Sequence, residues 1–134
     1  MLRRSGFVAL MAVLAFSLAG CSDEQAELAE KSKQDQETVA KAVAATKGGD
    51  FQTALSLLRP LAEAGYKSAQ NNLGSMYYDG TGVPENDEEA VKWFRLAADQ
   101  GSPEAQYNLG YAYEYGTGVS QDIEQSLRWY RASA

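Results

Sequence analysis

The sequence predicts an all-α chain built as a solenoid of helix–loop–helix repeats. Three observations carry that prediction. Residues 73–83 read LGSMYYDGTGV, and 36 positions later residues 109–119 read LGYAYEYGTGV. Apolar residues recur at helical spacing on both sides of these stretches. Helix start and stop signals then punctuate the chain at intervals that fit short helices.

Residues 1–20 precede the repeats and read differently. Arg3 and Arg4 lead into an apolar run over residues 7–19, interrupted only by Ser17. That run falls short of the roughly 20 apolar residues a spanning helix needs. A basic start, a short apolar core and small residues at the end describe a secretory signal peptide. A retained anchor helix is the alternative, and the length argues against it. Leu18-Ala19-Gly20-Cys21 resembles the bacterial lipobox. That resemblance implies acylation of Cys21, which becomes the first mature residue and the membrane anchor. Cys21 is the chain's single cysteine, so no disulfide forms within the chain. Ser22 in the next position resembles outer-membrane sorting and Asp23 weakens that assignment, so inner against outer membrane stays open.

Residues 21–36 form the acylated N-terminus and a polar tether. Leu28 is its one large apolar residue, and its Ala, Glu, Lys and Gln favour helix without requiring it. Residues 37–64 form a degenerate repeat unit. Its Ala54, Leu57 and Arg59 fall where Ala90, Trp93 and Arg95 do in the next unit, while its first helix, around residues 37–47, lacks the Leu-Gly and Tyr positions. Pro60 is expected to kink or shorten the second helix of that unit.

Residues 65–100 and 101–134 are the two full units. Laying 65–98 over 101–134 gives 15 identities in 34 positions, among them Ala69/Ala105, Gln70/Gln106, Asn72/Asn108, Gly74/Gly110, Tyr77/Tyr113, Gly82/Gly118 and Trp93/Trp129. Ser102-Pro103 fits an N-cap followed by a first-turn proline. Asn86 with Glu89, and Asp122 with Gln125, resemble capping boxes. Gly80 and Gly82 follow a helix where the backbone needs positive φ. Gly74 lies inside a helix at a cost of about 1 kcal/mol against alanine, which predicts two helices in close contact there. The second helices present Ala90, Trp93, Phe94 and Ala97, then Leu127, Trp129 and Tyr130, as apolar faces. No polar cap follows Trp129 and Tyr130, so those rings are expected to be covered internally or by another surface.

Composition narrows the function. Without residues 1–20 the chain carries 10 basic and 18 acidic side chains, 10 minus 18 or −8. That balance argues against nucleic acid and against electrostatic adhesion to anionic lipid. The chain has no histidine. Ser-His-Asp and Cys-His catalysis and imidazole-dependent metal sites are thereby excluded. The GTG stretches follow helices and are not strand-to-helix phosphate loops. Glu88 and Glu89 sit at a helix start, where acids favour the dipole, and no nucleophile pairs with a base. The expectation is a non-enzyme with no cofactor, no metal and no small-molecule substrate.

The pattern A-x-x-x-L-G-x-x-Y-x-x-G-x-G-V, followed by W and A-A-x-x-G, resembles the Sel-one-like repeat (SLR), a relative of the tetratricopeptide repeat. The resemblance covers residues 50–134 and implies a short right-handed α-solenoid. Bacterial relatives of this kind are mostly envelope adaptors, so it also implies a lipid-anchored protein-interaction module, facing the periplasm from the outer membrane. An immunity protein that neutralises a secreted toxin, a cell-wall enzyme and a ligand-free spacer are the alternatives. Cysteine-rich relatives rely on paired cysteines that this chain lacks, so nothing is carried over from them.

The partner is expected where the copies differ. At 100° per residue the shared Ala69, Leu73 and Tyr77, and Ala105, Leu109 and Tyr113, fall on one side of each first helix. Asn71, Ser75, Tyr78 and Asp79 in one unit, and Tyr107, Tyr111, Glu114 and Tyr115 in the next, fall on the other. Tyr107, Tyr111 and Tyr115 are four apart and so form one stripe. In tetratricopeptide-like solenoids the first helix lines the concave, binding surface.

Overall fold

The computed structural model describes the backbone of residues 6–134, with side chains from Gly20 onward. Arg3 and Arg4 of the expected signal peptide, and the side chains of its apolar run, lie outside the described residues. Those described contain six helices and no strand: α1 (Gly6–Lys47), α2 (Phe51–Glu63), α3 (Lys67–Asp79), α4 (Asp87–Asp99), α5 (Pro103–Tyr115) and α6 (Ile123–Ser133). Among the described residues no helix is long and apolar enough to cross a membrane.

The chain divides into two compact units, residues 1–36 and residues 37–134. In the first, residues 22–36 are helical and almost wholly exposed. Their helix-favouring composition, with no apolar stripe to bury, accounts for both features.

In the second unit, every helix from α2 onward packs on the next in sequence. This nearest-neighbour arrangement is that of an α-solenoid. Local chemistry sets the boundaries. Asp50, Asn86, Ser102 and Asp122 cap α2, α4, α5 and α6, each side chain accepting a hydrogen bond from the amide three residues on. Glu89, the expected second half of a capping box, engages Lys92 at 3.2 Å. Gly80 and Gly116 close α3 and α5 in the left-handed region at φ 65° and 68°, which a side chain would disfavour. The loops then turn back. Asn86 N–H donates to the Tyr77 carbonyl at 2.8 Å, and Asp122 N–H to that of Tyr113 at 2.9 Å.

Pro60 does not shorten its helix. α2 runs through it to Glu63, with the same 13 residues as α3, α4 and α5. The proline sits in the last turn, and the Ser56 carbonyl that loses its helical partner belongs to an exposed residue, open to solvent.

Two clusters form the core. Ala42, Ala54, Leu58, Ala62, Ala69, Leu73 and Met76 make the first, and Ala90, Val91, Phe94, Ala97, Ala98, Ala105, Leu109 and Ala112 the second. Alanine dominates both, so the helices approach closely. Leu58, Leu73 and Leu109 are the largest fully buried side chains. Each contributes roughly 1.5–3 kcal/mol relative to an exposed leucine. Trp93 packs against the first cluster and Trp129 against the second, at equivalent positions of the two full units. Both indole Nε1 atoms are buried without a hydrogen-bond partner. That costs about 1–3 kcal/mol each, which burial of the rings must exceed.

The helical glycines mark close approaches, as their repetition predicts. A Cβ on Gly74 would lie 2.8 Å from the Phe94 ring, and one on Gly110 would lie 2.8 Å from the Tyr130 ring. Repeated polar residues join the units. Arg59 and Arg95 each donate to a tyrosine hydroxyl 18 residues on, Tyr77 at 3.4 Å and Tyr113 at 2.6 Å. Gln70 and Gln106 each donate to a carbonyl eight residues back, Ala62 at 3.1 Å and Ala98 at 3.2 Å.

One expected core residue is outside it. Leu127 is 48% exposed, although Val91, its counterpart in the preceding unit, is 5% exposed. Val91 is covered because α5 packs on α4. No described helix packs on that face of α6, so Leu127 and Ile123 stay in solvent and Tyr130 is only half-buried.

Candidate functional site

The first helices of the two full units, α3 and α5, define a groove with a volume of about 300 Å3. Ser75, Tyr78 and Asp79 line it from α3, and Tyr107, Asn108, Tyr111 and Ala112 from α5. Val91 and Phe94 of α4 make its floor, and Thr117 closes one end. The floor is apolar because α4 packs against both first helices. The walls are polar and aromatic because those positions face away from the core.

Ring geometry shapes the groove. Tyr78 meets Tyr111 edge to face, with centroids 6.5 Å apart and planes at 87°. Tyr111 in turn packs on Tyr115 at 4.5 Å with a 41° tilt. Tyr107 turns away from this pair to the Tyr130 ring at 5.3 Å. Four of these five rings still present substantial surface: Tyr78 and Tyr111 are each 37% exposed, Tyr107 56% and Tyr115 61%. Such side chains combine an apolar body with a polar tip. Burial is the main cause that raises the Tyr78 phenol above its ordinary value, with the Tyr111 hydroxyl and the Asp87 and Asp79 carboxylates adding to it. The Tyr130 phenol is raised by burial first and then by its 2.6 Å hydrogen bond to Glu114 Oε2.

The eight expected partner-binding residues divide accordingly. Ser75, Tyr78, Asp79, Tyr107 and Tyr111 line the groove together, and Tyr115 stacks on its rim. Asn71 accepts from Asn108 Nδ2 at 3.1 Å, a side-chain bridge between α3 and α5. Glu114 is held by Tyr130. These last two support the groove's edges and do not line it. Reasoning from differing positions passed over Asn108, which shares its letter with Asn72. It also passed over the floor pair Val91 and Phe94. Among the described residues no cluster of acidic, cysteine or histidine side chains could hold a metal ion.

Stacked helical hairpins in which α3 and α4, then α5 and α6, repeat the second-helix caps, the glycines and the inter-unit hydrogen bonds define an α-solenoid of the tetratricopeptide-like class. The family model of the Sel1 repeat matches residues 67–102 and 103–134, and the chain belongs to that family. The chain is similar to a Sel1 repeat protein of known structure from Oxalobacter formigenes, at 34% identity and a TM-score of 0.67 over 72% of this chain. It is also similar to a protective antigen present in uropathogenic Escherichia coli strains that displays an SLR fold, at 33% identity and a TM-score of 0.70 over 77% of this chain. It spans 38% and 23% of those two chains. No curated protein matches it in sequence. Sel1 repeats are in general protein–protein interaction modules and typically non-enzymatic scaffolds.

Proposed function

We propose that this chain is a lipid-anchored envelope adaptor that binds a partner protein through the groove between α3 and α5. The observation that carries the reading is that groove: an apolar floor, three lining tyrosines with a fourth on the rim, and a polar wall, on the face the first helices share. Tyrosine is a frequent interface anchor because its ring buries apolar area while its hydroxyl still finds a partner. The anchor is Cys21, which is exposed and directly follows Leu18-Ala19-Gly20. Two or more acyl chains hold a protein stably on a membrane, whereas one binds only marginally. Ser22 favours the outer membrane, with the repeats facing the periplasm.

The decisive experiment is a pull-down from envelope extract with the wild-type chain and with Tyr107, Tyr111 and Tyr115 changed together to serine. The retained protein should bind the variant at least tenfold more weakly, about 1.4 kcal/mol. Helical content should be unchanged, since all three rings are exposed. A folded variant that binds normally would remove the groove from the reading. For the anchor, Cys21→Ala should release the chain to the soluble periplasmic fraction or stall it as the precursor. Normal processing with retention on the membrane would refute lipidation.

A further inference from the structure

Resting on that reading of the groove, the charge around it indicates what the partner presents. Residues 68–127 supply all of α3, α4 and α5 except Lys67, together with both intervening loops and the start of α6. They contain ten acidic side chains and two basic ones, Lys92 and Arg95. Both bases lie on α4 and both are engaged. Lys92 pairs with Glu89 at 3.2 Å. The Arg95 guanidinium lies 5.6 Å from the centre of the Tyr113 ring and donates to its hydroxyl. Neither lines the groove, where Asp79 is the one charged residue. An aromatic groove that holds a carboxylate and no cation, in a region where acids outnumber bases, is complementary to a positive charge.

We propose that the groove takes a basic side chain, arginine in preference to lysine, from a polypeptide partner, with its stem across Tyr78 and Tyr111 and its charge at the Asp79 carboxylate. Two further observations support this occupant. The chain already pairs arginine with tyrosine: Arg59 and Arg95 donate to the Tyr77 and Tyr113 hydroxyls across neighbouring units, and the Arg95 guanidinium also lies 5.6 Å from the centre of the Tyr113 ring. A planar guanidinium stacks on an aromatic ring and also donates in the plane to a carboxylate, which an ammonium does less well. The space also fits. A volume of about 300 Å3 over the Val91 and Phe94 floor takes one long side chain with an apolar neighbour, at the small end of ligand sites.

The test is selection of a phage-displayed random peptide library on the full chain, counter-selected on a Tyr78→Ser/Tyr111→Ser variant. Enriched peptides should carry Arg, less often Lys, beside an apolar residue. Re-synthesised with Gln in place of that Arg, a selected peptide should lose at least tenfold in affinity by fluorescence polarisation. Asp79→Asn should weaken the Arg peptide several-fold, leave its Gln form unchanged and reduce the salt dependence of binding. Asp79 is exposed at the end of α3, so this variant keeps its fold; if the double tyrosine variant unfolds, Tyr107→Ser, which removes a 56% exposed ring, replaces it. Enrichment of neutral or acidic peptides that still depend on the tyrosines would overturn the basic-residue inference and leave the groove as a partner site. Preference for a neutral oligosaccharide such as a chitin fragment over every peptide, or enrichment of nothing over the variant, would overturn both readings.

Discussion

Gly118→Ala should be among the most damaging alanine substitutions in the repeat unit, and the structure separates its two causes. Gly118 has φ 69°, where an L side chain costs about 1–2 kcal/mol. A Cβ there would also overlap the carbonyl oxygen of Asp87, the first residue of α4. That atom is backbone at a helix start and cannot rotate away, so the loop must shift, at about 1–3 kcal/mol for overpacking. The two together amount to roughly 2–5 kcal/mol. Gly101 is the control: its φ is 84°, but a Cβ on it would meet nothing within 4 Å. Gly101→Ala should therefore lose only the conformational part, about 1–2 kcal/mol. Thermal unfolding followed by helical circular dichroism compares them, and 1 kcal/mol corresponds to roughly 4–8 °C in a domain of this size. If Gly118→Ala loses no more stability than Gly101→Ala, the loop does not pack on the start of α4, and close packing is not why the second glycine of the loop repeats.

Other substitutions test the same stack. Gly74→Ala should be destabilising by up to about 2 kcal/mol, because the Phe94 ring it meets is 4% exposed and overpacking outweighs the ~1 kcal/mol gained in helix propensity. Gly110→Ala should be closer to neutral in the same melt, because the half-buried Tyr130 can swing aside at the expense of its Glu114 bond. Val91→Asn should cost roughly 2–4 kcal/mol, whereas Leu127→Asn at the equivalent position should fall within about 0.5 kcal/mol of wild type. Equal losses there would mean that α6 is covered. Asp50 is held below its ordinary 3.8 by its hydrogen bonds from Thr53, so its contribution is complete above that value and disappears as pH falls through the lower folded value. Asp50→Asn should flatten that acid limb of the stability curve and leave its neutral part almost unchanged.

Much of the solenoid was legible because its determinants are local. Caps, left-handed glycines and the 36-residue period are written within a few residues of where they act. Gly74 and Gly110 were legible for a related reason, since a costly residue at the same helical position twice demands a tertiary cause. The length of the Pro60 helix and the exposure of Leu127 were not legible because both depend on neighbours. Whether Pro60 matters depends on whether water reaches the Ser56 carbonyl. Whether Leu127 is buried depends on a helix packing on α6, as α5 packs on α4, and the pattern within α6 carries no trace of that.

The groove shows where comparison of copies reaches its limit. Among the positions that differ between units, Ser75, Tyr78, Asp79, Tyr107 and Tyr111 line one groove, because the core constrains the other side of each first helix to nearly one set of letters. The inference assumes that a shared letter does shared work, and Asn72 and Asn108 break it. Asn72 donates to the Ser68 carbonyl at 2.8 Å within its own helix. Asn108 donates across to Asn71 on α3, because the preceding unit places an amide oxygen beside it. One letter therefore serves a helix turn in one copy and a wall of the groove in the next. In a solenoid the environment of each residue is set jointly by its own unit and the one before. A site between units is therefore a property of the pair, and no single repeat contains enough information to reveal it.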